Sequence, residues 1–276
     1  MRQLSPSRRI RSLIDLLAIA ILLTYGWSVR QTRAGAADPT WTEVVERGIV
    51  VVGSDPGFRP FAIEREGAWS GYDVELMEEI ARRLGLRVRW QAVSYDALYD
   101  SLGSGQVEML ASALPLAPEQ GWRARFSQAY LDGGLVLVTR RGSGIRAESD
   151  LVGQTVGAAL GSDGDTRLRA LQQGNPTIRA RSGFDTPSEA LAALERGALE
   201  AVIVDSISAL SLTESNRDFV VARGLSYEPY VLAMPFGAYQ LQAKVDRVLG
   251  ELRAEGYFER LNTRWFGEGA PLDQTP

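Results

Sequence analysis

The sequence predicts an α/β protein with largely parallel sheets, on two observations: short β-branched runs alternate with helix-patterned stretches, and one helix–glycine–strand unit recurs. Residues 49–53, Ile-Val-Val-Val-Gly, form an apolar run suited to a buried strand. Residues 73–84 follow with Val74, Met77, Ala81 and Leu84 on one helical face, and Gly85 is placed to stop that helix. Further strands are expected at 88–90, 107–111, 135–138, 155–158, 201–204 and 230–233, with helical stretches between most of them. Thr186-Pro187-Ser188-Glu189 reads as a helix start, with Thr as N-cap, Pro in the first position and Glu completing a capping box; Gly197 ends the helix. In the recurring unit, Leu102-Gly103-Ser104-Gly105-Gln106-Val107-Glu108-Met109-Leu110 is similar to Leu194-Glu195-Arg196-Gly197-Ala198-Leu199-Glu200-Ala201-Val202. The two strands end at Ser112-Ala113 and Val204-Asp205. Ligands in α/β sheets sit beyond strand carboxyl ends, so two such ends would face each other across a cleft. The alternative is a chance likeness of two common units.

Length and composition narrow the function. A chain of 276 residues with 45% hydrophobic content supports one or two packed domains. The first 36 residues carry six Arg and one Asp, which leaves 24 basic and 33 acidic groups in the remainder, a net charge of −9. A body that acidic argues against nucleic acid and anionic membrane surfaces as partners. The chain has no His and no Cys, which removes the usual zinc ligands, the Cys nucleophile and the Ser-His-Asp triad together. No metal and no cofactor is expected.

At the N-terminus, Arg8, Arg9 and Arg11 precede an apolar run over 16–27, and Ala34-Gly35-Ala36 offers small residues for a signal peptidase. Residues 1–36 read as a signal peptide or, alternatively, a membrane anchor over 10–29, a span that Arg11 and Asp15 interrupt. Either version leaves the body outside the cytoplasmic membrane, on its periplasmic or extracellular side.

Several segments together resemble the family 3 extracellular solute-binding proteins, the amino-acid-binding type of periplasmic binding protein. They are 52–61 (Val-Gly-Ser-Asp-Pro-Gly-Phe-Arg-Pro-Phe), Gly71-Tyr72-Asp73-Val74-Glu75-Leu76, Ser94-Tyr95-Asp96-Ala97-Leu98 and Phe126-Ser127-Gln128-Ala129-Tyr130. Asp150-Leu151-Val152-Gly153-Gln154-Thr155-Val156-Gly157, Glu200-Ala201-Val202-Ile203-Val204-Asp205-Ser206, Leu252-Arg253-Ala254-Glu255-Gly256-Tyr257-Phe258 and Arg264-Trp265-Phe266-Gly267 continue the series. The resemblance rests on their order and spacing. It implies a two-lobed type II periplasmic binding protein fold with a hinge between the lobes. Lobe 1 would comprise residues 41–131 plus 227–268 and lobe 2 residues 132–226, with hinges near Leu131 and Glu228 and a tail over 269–276. The implied partners are a small-molecule ligand, an amino acid or amine, and the membrane subunits of an ABC importer, served by a monomer that is not an enzyme.

The resemblance also implies ligand contacts. Phe58 and Phe61 lie where the family places aromatics near the ligand, and Tyr95 matches the aromatic that stacks from the other side, suited to an ammonium or a flat polar group; the other reading of Phe61, favoured over its contact role, is a plug of the lobe core. Asp55 meets a cationic ligand group or fixes its turn. Asp205, at the end of an apolar strand, matches the residue that holds an α-ammonium in the family, with a helix N-cap as the other reading. Ser162 and Asp163, in Gly161-Ser162-Asp163-Gly164-Asp165, match second-lobe contacts at a helix start, or simply cap it. The departure is at 115–120, Pro-Leu-Ala-Pro-Glu-Gln. Gln120 stands where the family has a carboxylate-clamping Arg, and Pro115 and Ala117 replace its hydroxyl partners, although Ser112 remains. Without that clamp a positively charged ligand is favoured over a zwitterion, with Arg123 and Arg125 as possible substitutes. The competing readings are a cyclohexadienyl-type dehydratase on the same fold, weakened by the missing Arg and the absence of His, and a membrane-anchored ligand sensor.

Overall fold

A computed structural model of the chain describes residues 38–266; the leader over 1–36 and the tail over 269–276 lie outside them. In chain order the elements are α1 (Pro39–Arg47), β1 (Ile49–Ser54), β2 (Ile63–Arg65), β3 (Ala68–Ser70), α2 (Tyr72–Arg83), β4 (Arg87–Ala92), α3 (Leu98–Gly103), β5 (Met109–Pro115), β6 (Ala124–Phe126) and β7 (Leu131–Asp132). They continue with β8 (Leu135–Arg140), β9 (Thr155–Ala159), α4 (Asp163–Gly174), β10 (Arg179–Phe184), α5 (Pro187–Glu195), β11 (Ala201–Asp205), α6 (Ser206–Ser215), β12 (Phe219–Gly224), β13 (Pro229–Pro235), α7 (Tyr239–Ala254) and α8 (Tyr257–Phe266).

Two sheets organise these elements into two lobes. The first has the order β4-β1-β5-β13-β6, with β7 also on β13, and the second β10-β9-β11-β8-β12. Each begins as three parallel strands, β4-β1-β5 and β10-β9-β11. The remaining strands run antiparallel, so the sheets are mixed rather than largely parallel. The added strands β7, β8, β12 and β13 border the two passages between lobes, where the chain returns without a crossover helix. Leu131 to Leu135 makes the first passage, and Gly224 to Pro229 the second.

Helices on both faces explain the continuous apolar strands. In β1, Val50 and Val52 join Leu76, Ile80, Val245 and Leu249 under α2 and α7, while Val51 faces Leu98, Leu102 and Leu110 on the α3 side. The second lobe repeats the arrangement, with Leu191, Leu194 and Val202 under α5 and Val156, Leu168 and Ile203 under α4. Burying one such side chain contributes roughly 1.5–3 kcal/mol, so each lobe is held mainly by its own core. Helix α6 belongs to the second sheet by connection, yet its Leu210 packs into the first lobe's core.

Local signals explain the ends. Gly85 has φ +73 just after α2, and Gly197 has φ +74 after α5. Thr186 caps α5 by accepting from the Glu189 N–H at 3.2 Å, but the Glu189 carboxylate takes the Asp185 N–H at 2.9 Å, which shifts the reciprocal half of the expected box by one residue. Fully buried Asp38 does two jobs: Oδ1 accepts the Trp41 N–H in the first turn of α1 at 3.0 Å, and Oδ2 accepts the Gln240 N–H of α7 at 2.8 Å.

The recurrent unit is a structural repeat. After α3 the Glu108 N–H donates to Val51 O at 2.9 Å and its carboxylate accepts the Val51 N–H at 2.7 Å. After α5 the Glu200 N–H donates to Thr155 O at 2.9 Å and its carboxylate accepts the Thr155 N–H at 2.7 Å.

Candidate functional site

Strands β9 and β11 deliver their carboxyl ends to a cavity of about 670 Å³ whose far wall is the pair of interlobe passages. Its lining includes Ser162, Asp163 and Gly164 at the start of α4, Asp205 at the end of β11, Gly133 and Leu135 of the first passage, and Ser226, Tyr227 and Glu228 of the second. The lining holds three carboxylates, Asp163, Asp205 and Glu228, and no Arg or Lys.

The three have different local constraints. Asp205 Oδ1 accepts the Ser208 N–H at 2.7 Å, so one oxygen caps α6 while the residue still borders the cavity. Both sequence readings of Asp205 therefore fit the geometry. Asp163 opens α4 and is exposed on the cavity wall. Glu228 is fixed by its backbone: its N–H donates to Asp132 Oδ1 at 2.9 Å and its carbonyl accepts the Gly133 N–H at 2.8 Å. The Glu228 carboxyl is pushed above the usual carboxylate range, first by partial shielding from water and then by the negative charges of Asp163, Asp205 and Asp132.

Ser162 is the N-cap of α4. Its Oγ accepts the Asp165 N–H at 3.1 Å and donates to Ala159 O at 2.7 Å, which occupies its hydroxyl within the turn. Gly164 is needed behind it, because a Cβ there would stand 2.5 Å from Ile203 O. The helix start is thereby pressed against β11, close to Asp205.

The first lobe groups Asp55, Phe58, Tyr95 and Ser112, but none of them borders the cavity. Asp55 Oδ1 accepts the Gly57 N–H at 2.8 Å, Oδ2 accepts the Tyr95 N–H at 3.0 Å, and its own N–H donates to Ser112 Oγ at 3.0 Å. Asp55 therefore fixes the turn, with both oxygens committed to backbone. Ser112 is fully buried and serves that turn. Phe58, 42% exposed, stacks on buried Phe61 with centroids 5.5 Å apart, so Phe61 is the core plug and Phe58 the open face. Tyr95 is 49% exposed, and Glu228 lies near enough for its charge to help raise the Tyr95 hydroxyl, after shielding from water.

Gln120 is turned elsewhere. Its Oε1 accepts from Arg123 Nε at 2.8 Å, and Arg123 is also paired with Asp100 at 2.8 Å and lies over the Tyr99 ring. Arg125 bonds Phe236 O and Gln242 Oε1. Neither arginine borders the cavity.

Sequence reading placed a hinge near Glu228 but not a cavity side chain, and it missed Tyr227 and Asp132. The available signal was Tyr227-Glu228-Pro229, an aromatic and an acid held extended by the following proline in a segment already assigned to the passage.

Comparison with known proteins bears on this architecture. The model of the bacterial extracellular solute-binding proteins, family 3, matches residues 50–268. The chain is similar to the L-cystine-binding protein TcyJ of Escherichia coli (strain K12), at 26% identity over 93% of this chain and 95% of that protein. It is also similar to the arginine-binding extracellular protein ArtP of Bacillus subtilis (strain 168), at 26% identity over 79% of this chain and 86% of that one. Among solved structures, the L-cystine solute receptor of Neisseria gonorrhoeae, in an unliganded open conformation, superimposes with a TM-score of 0.74 at 23% identity. That match covers 82% of this chain and 98% of the receptor.

Proposed function

Because the chain belongs to the bacterial extracellular solute-binding proteins of family 3, we propose that it holds a positively charged, amino-acid-like ligand at the second-lobe cavity beside the interlobe passages and delivers it to an ABC importer. The observation that carries the choice of ligand is the lining of Asp163, Asp205 and Glu228 with no Arg or Lys. A carboxylate-only wall attracts a cation and repels an anion, and partial removal from water strengthens both effects. In this reading Asp205 receives the ligand ammonium through the oxygen not used to cap α6. Phe58 and Tyr95 close over the ligand from the first lobe.

Closure is a hinge motion at the two passages, since the aromatics and the cavity stand on different lobes. The relatives named for cystine and arginine support an amino-acid-like ligand, and both of those molecules carry two basic nitrogen groups. A carboxylic acid substrate of the dehydratase type would meet three negative charges and no clamping arginine, which speaks for binding without catalysis. The leader would export the chain and be cleaved near Ala37, and the body would act as a monomer outside the cytoplasmic membrane. Thermal unfolding measured against amino acids, amines, sugars and aromatic acids tests the reading, because ligand binding raises stability by mass action. Stabilisation by cationic amino acids or amines is expected; stabilisation by anionic aromatic acids alone would refute it.

A further inference from the structure

A single ligand cation balances only one of the three carboxylates on the cavity wall. Asp205 stands at the end of β11 and Asp163 at the start of α4, while Glu228 comes from a separate element, the second interlobe passage. No hydrogen bond or ion pair of the Glu228 side chain occurs among the described residues, whereas its backbone is tied at both N–H and C=O. The side chain is thus presented to the cavity from a fixed origin, without a protein cation to neutralise it.

Aromatic surface lies on the same passage as this carboxyl. Tyr227, the preceding residue, lines the cavity and is 47% exposed. Tyr95 of the first lobe is equally open, and its hydroxyl feels the Glu228 charge. Exposed aromatic faces beside a carboxylate are the usual surroundings of a bound alkylammonium. The groups facing Glu228 are Asp132 from the first passage, Asp163 and Asp205 from the second lobe, and Tyr95 and Tyr230 from the first lobe, all acids. Partial shielding from water, and after it the charges of Asp163, Asp205 and Asp132, hold the Glu228 carboxyl above its ordinary range, a shift that a nearby cation opposes.

We propose that Glu228, with Tyr227 beside it, is the residue that selects a second positive charge on the ligand, so that the preferred ligand carries two cationic nitrogens rather than one. The selection rests on the reading of the cavity as the ligand site, with Asp205 receiving the first ammonium. Charge balance gives the physical ground: a ligand with one ammonium at Asp205 leaves the Glu228 carboxylate without a counter-charge, and a second ammonium supplies it.

Isothermal titration calorimetry of the purified full chain tests the proposal with two matched pairs, L-lysine against L-norleucine and 1,4-diaminobutane against n-butylamine. Within each pair the second nitrogen is the principal difference. The dication should bind at least ten-fold more tightly than its partner. In Glu228→Gln that ratio should fall to within about three-fold, and Glu228→Asp, which keeps the charge, should retain most of it. Equal affinity within each pair, or a ratio unchanged in Glu228→Gln, would overturn the role of Glu228 while leaving the cavity reading intact. Binding that is indifferent to Asp205→Asn, or no binding of any of the four probes, would overturn the cavity reading and this inference with it.

Discussion

Asp73 offers the sharpest quantitative test of the first lobe. It lies in the first turn of α2, is fully buried, and has two donors: the Ala113 N–H at 2.6 Å to Oδ2 and the Tyr130 O–H at 2.8 Å to Oδ1. Both favour the carboxylate, but burial opposes it more strongly, and the carboxyl is pushed up to about 7. The unfolded chain ionises near 3.8. Between those two values the unfolded state releases a proton that the folded state keeps, so this group makes stability fall as pH rises from about 4 to about 7 and level off above. At 1.36 kcal/mol per pH unit, the separation of about three units sets an upper bound of about 4 kcal/mol. Asp73→Asn keeps the shape of the protonated acid: the amide carbonyl can accept from Ala113 and the NH₂ can donate to Tyr130 Oη. The variant should match the wild type near pH 4 and exceed it at pH 8 by up to that amount. Urea unfolding followed by tryptophan fluorescence at both pH values measures the difference. A variant that is less stable than the wild type at pH 8 would refute the argument, because the carboxylate would then be ionised and held by its two donors.

Asp205→Asn keeps an oxygen to cap α6 but removes the charge, so it should melt near the wild type while binding a cationic ligand more weakly; Asp205→Ala should lose the cap as well, about 1 kcal/mol of stability. Truncation at a desolvated ammonium should cost about 2–5 kcal/mol of binding, and Arg123→Ala or Arg125→Ala less than about 1 kcal/mol, both read by calorimetry. Asp38→Ala removes caps from α1 and α7 together and should cost about 2 kcal/mol in chemical denaturation, twice the usual single-cap loss. Gly164→Ala sets a Cβ 2.5 Å from Ile203 O and should destabilise the second lobe by roughly 1–3 kcal/mol while displacing Asp163, visible as a lowered melting temperature and weakened binding.

Much of the framework could be read from the sequence because it is set by local chemistry. The apolar run over 49–53, the helical face of Val74 and Met77, and the stopping glycines Gly85 and Gly197 each act within a few residues, and each appears where the pattern placed it. The likeness of residues 102–110 to 194–202 survives as one repeated pair of Glu-to-backbone contacts. Strand direction was less legible: β8, β12 and β13 look like any apolar run, and their antiparallel pairing follows from the passages between lobes rather than from composition. The site divided in the same way. Asp205 and Asp163 were visible as acids at the ends of buried elements. The turn-fixing roles of Asp55 and Ser112 depend on backbone N–H groups up to 57 positions away. Glu228 reaches the cavity on a passage whose backbone is tied to Asp132, 96 positions earlier, and to Gly133.

The sheet order of the first lobe also sets a timetable for biosynthesis. Strand β13, residues 229–235, lies between β5 and β6, so that sheet has a gap at its centre until nearly the whole chain has left the ribosome. The second sheet suffers no such delay, since β8 to β12 are contiguous in the chain. A growing chain can therefore complete its inserted lobe while the sheet of the other lobe still lacks β13. Loop closure over such a long separation makes that final docking slow.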